Sequence, residues 1–97
     1  MDGMAYRFRN SIGPIIRRLR SQLEWTQEEL AAKLQLAGLH HLDRFAVSKI
    51  ESQVRSVYDY ESIILAKVLK VEVGDLFPKV EEVEADLERL IGDPREE

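Results

Sequence analysis

At 97 residues, 44% hydrophobic and only 7% aromatic, the chain has material for one domain with a small aliphatic core. It has no cysteine, which excludes disulfides and thiolate metal sites, and its polar start and lack of a long apolar run predict a cytoplasmic protein with no membrane segment. The formal charge of −4 speaks against nucleic acid, but it is unevenly placed: residues 1–55 carry nine bases and six acids, net +3, whereas residues 78–97 carry three bases and eight acids, net −5.

Residues 1–11 show no sustained period. Tyr6, Arg7, Phe8 and Arg9 alternate ring and base, and the stretch reads as a flexible basic arm. Pro14 suits the first position of a helix over about 14–24, with Ile12, Ile16, Leu19 and Leu23 on one face and Arg17, Arg18 and Gln22 outside. Thr26 and Glu29 have capping-box spacing, and Trp25 and Leu30 stand at the positions of a hydrophobic staple. Helix 2 then runs over about 27–37 through Leu30, Ala31, Leu34 and Ala37, until Gly38 supplies a left-handed C′ residue.

Residues 39–42 connect helix 2 to helix 3, for which Asp43 is the N-cap. Val47 and Ile50 lie three apart and must face inward. Arg44, Phe45, Ser48 and Lys49 therefore share the opposite face, and the register predicts an exposed Phe45 ring. Two cations, a hydroxyl and a ring on one side of a helix suit the major groove of DNA, where Arg and Lys donate to guanine and an apolar group meets a thymine methyl. After a loop over 53–58, Asp59 caps helix 4, whose apolar positions are Ile63, Ile64, Ala66, Val68 and Leu69. Val71, Val73, Leu76 and Phe77 predict a short buried helix 5. Pro78 opens an acidic helix 6, in which Val80, Val83, Leu87, Leu90 and Ile91 follow heptad-like spacing, before Gly92 and Pro94 stop it. No run alternates long enough for a strand, so the expected class is all-α.

As an ordered set, Ile16-Arg17-Arg18-Leu19-Arg20, Trp25 through Leu34, Val47-Ser48-Lys49-Ile50-Glu51 and Leu69 through Phe77 resemble the successive blocks of the helix-turn-helix family of phage repressor and Cro proteins, also called the xenobiotic-response-element type. The resemblance covers 12–77 and implies a five-helix DNA-binding domain, with 78–97 a C-terminal helix and acidic tail outside it. It further implies sequence-specific binding of double-stranded DNA, with helix 3 reading the major groove, in a transcriptional regulator that is usually a repressor. By the same resemblance Arg44, Phe45, Ser48 and Lys49 contact bases, Thr26, Gln27 and Arg55 contact the DNA backbone, and Arg20 and Glu51 form a buried structural ion pair.

The chain also departs from the pattern. From Gln35 to Val47 it is about six residues longer, where a helix-turn-helix turns in about 3–4, which reads as a lengthened helix 2 and a wider turn. Phe45 stands where a polar reader is usual, and Glu24 and Gln53 stand where glycine is common.

Other chemistry lacks support in the sequence. His40 and His41 are adjacent in a turn with no cysteine or carboxylate cluster beside them, so they read as exposed residues and not metal ligands. Ser48 has no activating histidine and there is no Gly-rich phosphate loop, so no enzymatic activity, cofactor or metal is expected. Val80, Val83, Leu87 and Leu90 predict a homodimer interface, with folding back onto helix 5 or helix 1 as the alternative. The alternative function is an antitoxin-like or adaptor module on the same fold, binding a protein partner through the acidic C-terminal helix.

Overall fold

The three- and four-residue spacing of the apolar positions is realised as helices: α1 (Gly13–Gln22), α2 (Gln27–Leu36), α3 (Arg44–Glu51), α4 (Asp59–Leu69), a 3-10 turn (Val73–Leu76), α5 (Val80–Ala85) and α6 (Leu87–Ile91). The computed structural model describes residues 7–92, and no strand is present among them. Expectations for residues 1–6 and 93–97 lie outside the described residues. No described helix is long and apolar enough to cross a membrane.

Local chemistry sets the helix ends. Thr26 Oγ1 accepts from the Glu29 amide at 3.0 Å, while Glu29 Oε1 accepts from the Thr26 amide at 2.7 Å, closing a capping box. Asp43 Oδ1 accepts from the Ala46 amide at 2.9 Å and starts α3. The N-cap of α4 is Tyr58 rather than Asp59, because the acid placed to reach back is Glu61, whose Oε1 accepts from the Tyr58 amide at 3.0 Å. Four helices close alike, on a positive-φ residue: Glu24 (φ 62), Gly38 (φ 112), Gln53 (φ 67) and Lys70 (φ 65). In each case the next amide reaches back five residues, as Trp25 does to Arg20 and Leu39 to Leu34.

The core is aliphatic. Ile12 and Ile16, Leu30 and Leu34, Val47 and Ile50, Leu65 and Leu69, and Leu76 are all at most 2% exposed, with Trp25 packed at the margin. Leu39 and Leu42 are also buried, so the connection 37–43 is anchored by two leucines. The connection between α2 and α3 spans the seven residues 37–43, and α2 closes at Leu36 without the expected extension. In α4 the inward face is Ser62, Leu65, Ala66 and Leu69, at i, i+3, i+4 and i+7. Ile63 falls outside that face and is 55% exposed. The expected helix 5 is the 3-10 turn, with Leu76 buried and Phe77 exposed.

Two expectations about the ends of the domain are corrected. Residues 7–11 are held down and are not a flexible arm: the Phe8 and Arg9 amides donate to Arg89 and Gln53 carbonyls, each at 2.8 Å, and Arg89 lies over the Phe8 ring at 4.3 Å. Asn10 Nδ2 donates to the carbonyls of Ile50 (3.1 Å) and Arg55 (2.8 Å), while its Oδ1 accepts from Gly13. Helix 6 is broken at Asp86 into α5 and α6, neither of which has a buried residue. Its apolar stripe divides accordingly. Val83 and Leu90 are half-buried and line a groove against Pro14 and Ile15, whereas Val80 and Leu87 are exposed.

Candidate nucleic-acid interface

α3 is the short helix on which the candidate site is built. Val47, Ile50 and Glu51 are buried, Ser48 is half-buried, and Arg44, Phe45 and Lys49 point outward. The Phe45 ring is 67% exposed. Its neighbour Arg44 lies over it, with the guanidinium carbon 5.7 Å from the ring centroid. Among the described residues neither Arg44 nor Lys49 has an ion-pair partner, so both charges are available to a ligand.

Behind that face α3 is pinned by charge. Arg20 of α1 grips Glu51 with two bonds, Nε to Oε2 at 2.6 Å and Nη2 to Oε1 at 3.0 Å. Its Nη1 donates to the Trp25 carbonyl at 2.6 Å. The hydrogen bond to Glu51 raises the Arg20 guanidinium above its ordinary value against the opposing pull of burial. Gln27 Nε2 adds a bond to Glu51 Oε1 at 2.9 Å, so this side chain faces the ion pair with its donor end. Thr26 is exposed beside it and occupied in capping α2. α1 comes close enough to receive this pair because of Gly13, where a Cβ would sit 2.2 Å from the Ile50 carbonyl oxygen.

A second cluster has no counterpart in the sequence reading. Glu61, in the first turn of α4, is fully buried. Arg55 meets it with both terminal nitrogens, at 3.0 and 3.1 Å, and His41 Nε2 lies 2.6 Å from Oε2. Burial pushes the Glu61 carboxyl up, but bonds from Arg55, His41 and the Tyr58 amide outweigh it and hold the group down at about 2. With Glu61 ionised, the His41 Nε2–H is the donor. The hydrogen bond to Glu61 also raises the Arg55 guanidinium, again against burial. Arg55 is thus engaged inside the fold, not held ready for a phosphate. His40 and His41 are both exposed turn residues, as expected, and His41 is in addition a structural donor to Glu61.

One signal pointed to Glu61. Tyr58-x-x-Glu61 has the same spacing as Thr26-x-x-Glu29, and Leu65 at i+4 from Glu61 puts that acid on the inward side of α4. Arg9 is exposed, and its amide donates to the carbonyl of Gln53, two residues past the end of α3. No group of three His, Cys, Asp or Glu residues among those described stands close enough to hold a metal ion. No family model matches the chain, and no curated protein or solved structure is significantly similar to it.

Proposed function

We propose that the chain binds double-stranded DNA in a sequence-specific manner and acts as a transcriptional regulator, most simply a repressor. In this reading α2, the connection 37–43 and α3 form a helix-turn-helix unit of the repressor and Cro kind with a widened turn. The observation that carries it is the division of α3: one side is fixed by Val47, Ile50 and the Glu51 ion pair, while the other offers Arg44, Phe45 and Lys49 without ion-pair partners among the described residues. α3 lies in the major groove, with Arg44, Phe45, Ser48 and Lys49 toward the bases. Backbone contacts come from the first turn of α2, where the unpaired backbone amide of Gln27 suits a phosphate and Thr26 lies exposed beside it, and from Arg9. Arg55 is left out of this set because Glu61 holds it.

A two-fold dimer would double a weak half-site grip, and Val80, Leu87 and Ile91 are the exposed large apolar residues of α5 and α6 left for it. The same exposed residues on an acidic segment favour the second reading, a protein-interaction module. Binding to mixed duplex DNA across a salt series separates the two. The DNA reading expects affinity to fall with a log–log slope of about 0.9 per phosphate neutralised. The interaction module expects no measurable binding at any salt concentration.

A further inference from the structure

Arg44 and Phe45 stand apart from the rest of the outward face because they are held to each other. The ring is two-thirds open to solvent, with the guanidinium 5.7 Å from its centroid. The pair borders a groove of about 450 Å³ between α2 and α3, lined on the α2 side by Glu28, Ala31, Ala32 and Gln35. Asp43, the acid next to Arg44 in the chain, is occupied as the N-cap of α3. Arg44 therefore has no ion-pair partner among the described residues and lies beside an exposed apolar ring.

We infer that this pair reads one dinucleotide feature, a guanine adjacent to a thymine, with Arg44 on the guanine and the Phe45 ring on the thymine methyl; the inference rests on the DNA-binding reading above. Guanine presents two acceptors, O6 and N7, to the major groove, matching the planar donor fork of arginine. Thymine is the unmodified base with an apolar group there, its C5 methyl. Neighbouring base pairs are about 3.4 Å apart along the strand, so a guanidinium and a ring centroid 5.7 Å apart fall within two successive steps and address neighbouring pairs, not distant ones. Lys49 has no such plate and no planar fork, which makes it the less selective cation of the face. Phe45 has no hydrogen-bonding group, so its selectivity comes from the methyl alone and is modest.

The test begins with duplexes selected from a random pool by the full chain, which should share a guanine–thymine neighbour. Replacing that thymine with deoxyuridine removes only the methyl and should weaken binding about fourfold, the worth of one buried methyl group. Phe45→Ala should bind the two duplexes equally, and since the ring is exposed the variant should keep its helical circular dichroism and melting temperature. Replacing the guanine with 7-deazaguanine should weaken the native chain about tenfold, and Arg44→Ala should be indifferent to that change. Equal affinity of the native chain for the thymine and deoxyuridine duplexes would overturn the inference while leaving DNA binding intact. A preference that survives in Phe45→Ala would overturn it too. Failure to prefer any duplex over scrambled sequence would overturn the DNA-binding reading along with it.

Discussion

Glu51 and Glu61 are two buried carboxylates, each gripped by an arginine from elsewhere in the chain, yet they hold different things. Glu51 sits in α3 itself and ties the helix to α1 through Arg20 and to α2 through Gln27. Glu61 sits in α4 and gathers the segments on either side of α3: His41 from the connection before it and Arg55 from the loop after it. A helix as short as α3 has little stability of its own, so its direction depends on what pins its ends. The contrast teaches that the outward face of α3 is free to meet a ligand because two other arginines are not. The connection before α3 is long but not loose, since Leu39, Leu42 and His41 tie it down.

Breaking the Glu61 cluster should have the largest effect. Glu61→Ala leaves Arg55 without its counter-charge in a largely buried place and should cost about 3–5 kcal/mol, measured by denaturant unfolding. Acid should probe the same cluster. The Glu61 carboxyl is held at about 2 in the fold against an ordinary 4.5, so the unfolded chain binds the extra proton in between. Its contribution, about 3 kcal/mol, is complete above the unfolded value and is lost as pH falls toward the folded one. Unfolding free energies at pH 5 and pH 2.5 should show a drop that is much smaller in Glu61→Gln; an equal drop in both would remove Glu61 from the account.

The Glu51 side of the comparison is sharpened by Gly13→Ala. The added Cβ meets the Ile50 and Glu51 carbonyl oxygens at 2.2 and 2.9 Å, both backbone atoms, so α1 must shift away from α3. Overpacking of this kind costs about 1–3 kcal/mol. Because the shift also lengthens the Arg20–Glu51 contact, a double-mutant cycle of Gly13→Ala with Glu51→Gln should be non-additive. The smallest effect, and the one of opposite sign, belongs to Glu24. Its left-handed conformation (φ 62) lets Trp25 turn its carbonyl to Arg20. The conformation costs a non-glycine residue about 1–2 kcal/mol, and glycine gives back part of the difference through its freer unfolded chain. Glu24→Gly should therefore stabilise by about 0.5–1 kcal/mol, seen as a raised melting temperature.

What the sequence made legible was local. Thr26 with Glu29, Asp43 and Gly38 mark helix ends by chemistry that acts within four residues, and Val47 with Ile50 settles which side of α3 faces out. Glu24 and Gln53 stood out as residues in places suited to glycine, and both have positive φ. What was not legible depends on distant partners. Asn10 binds backbone carbonyls of Ile50 and Arg55, and a carbonyl carries no signature of its residue, so residues 7–11 looked unattached. Leu39 and Leu42 lie in a connection with no period to reveal their burial. Glu61 was hidden by the choice of Asp59 as cap, which turned α4 to the wrong register and placed Ile63 inward. The break at Asp86 has no proline or glycine to announce it, and it divides a stripe that heptad spacing joined.

The claim at the centre of this account is that the outward face of α3 reads base pairs. Lys49→Ala tests it most directly, because Lys49 is exposed, lies outside both carboxylate clusters and can be removed without disturbing them. Titrated with a selected duplex and a scrambled one at fixed salt, the variant should lose about 1–3 kcal/mol on the selected duplex and clearly less on the scrambled one. Equal losses on both would contradict a base-reading role for Lys49, and no loss on either would contradict its contact with DNA.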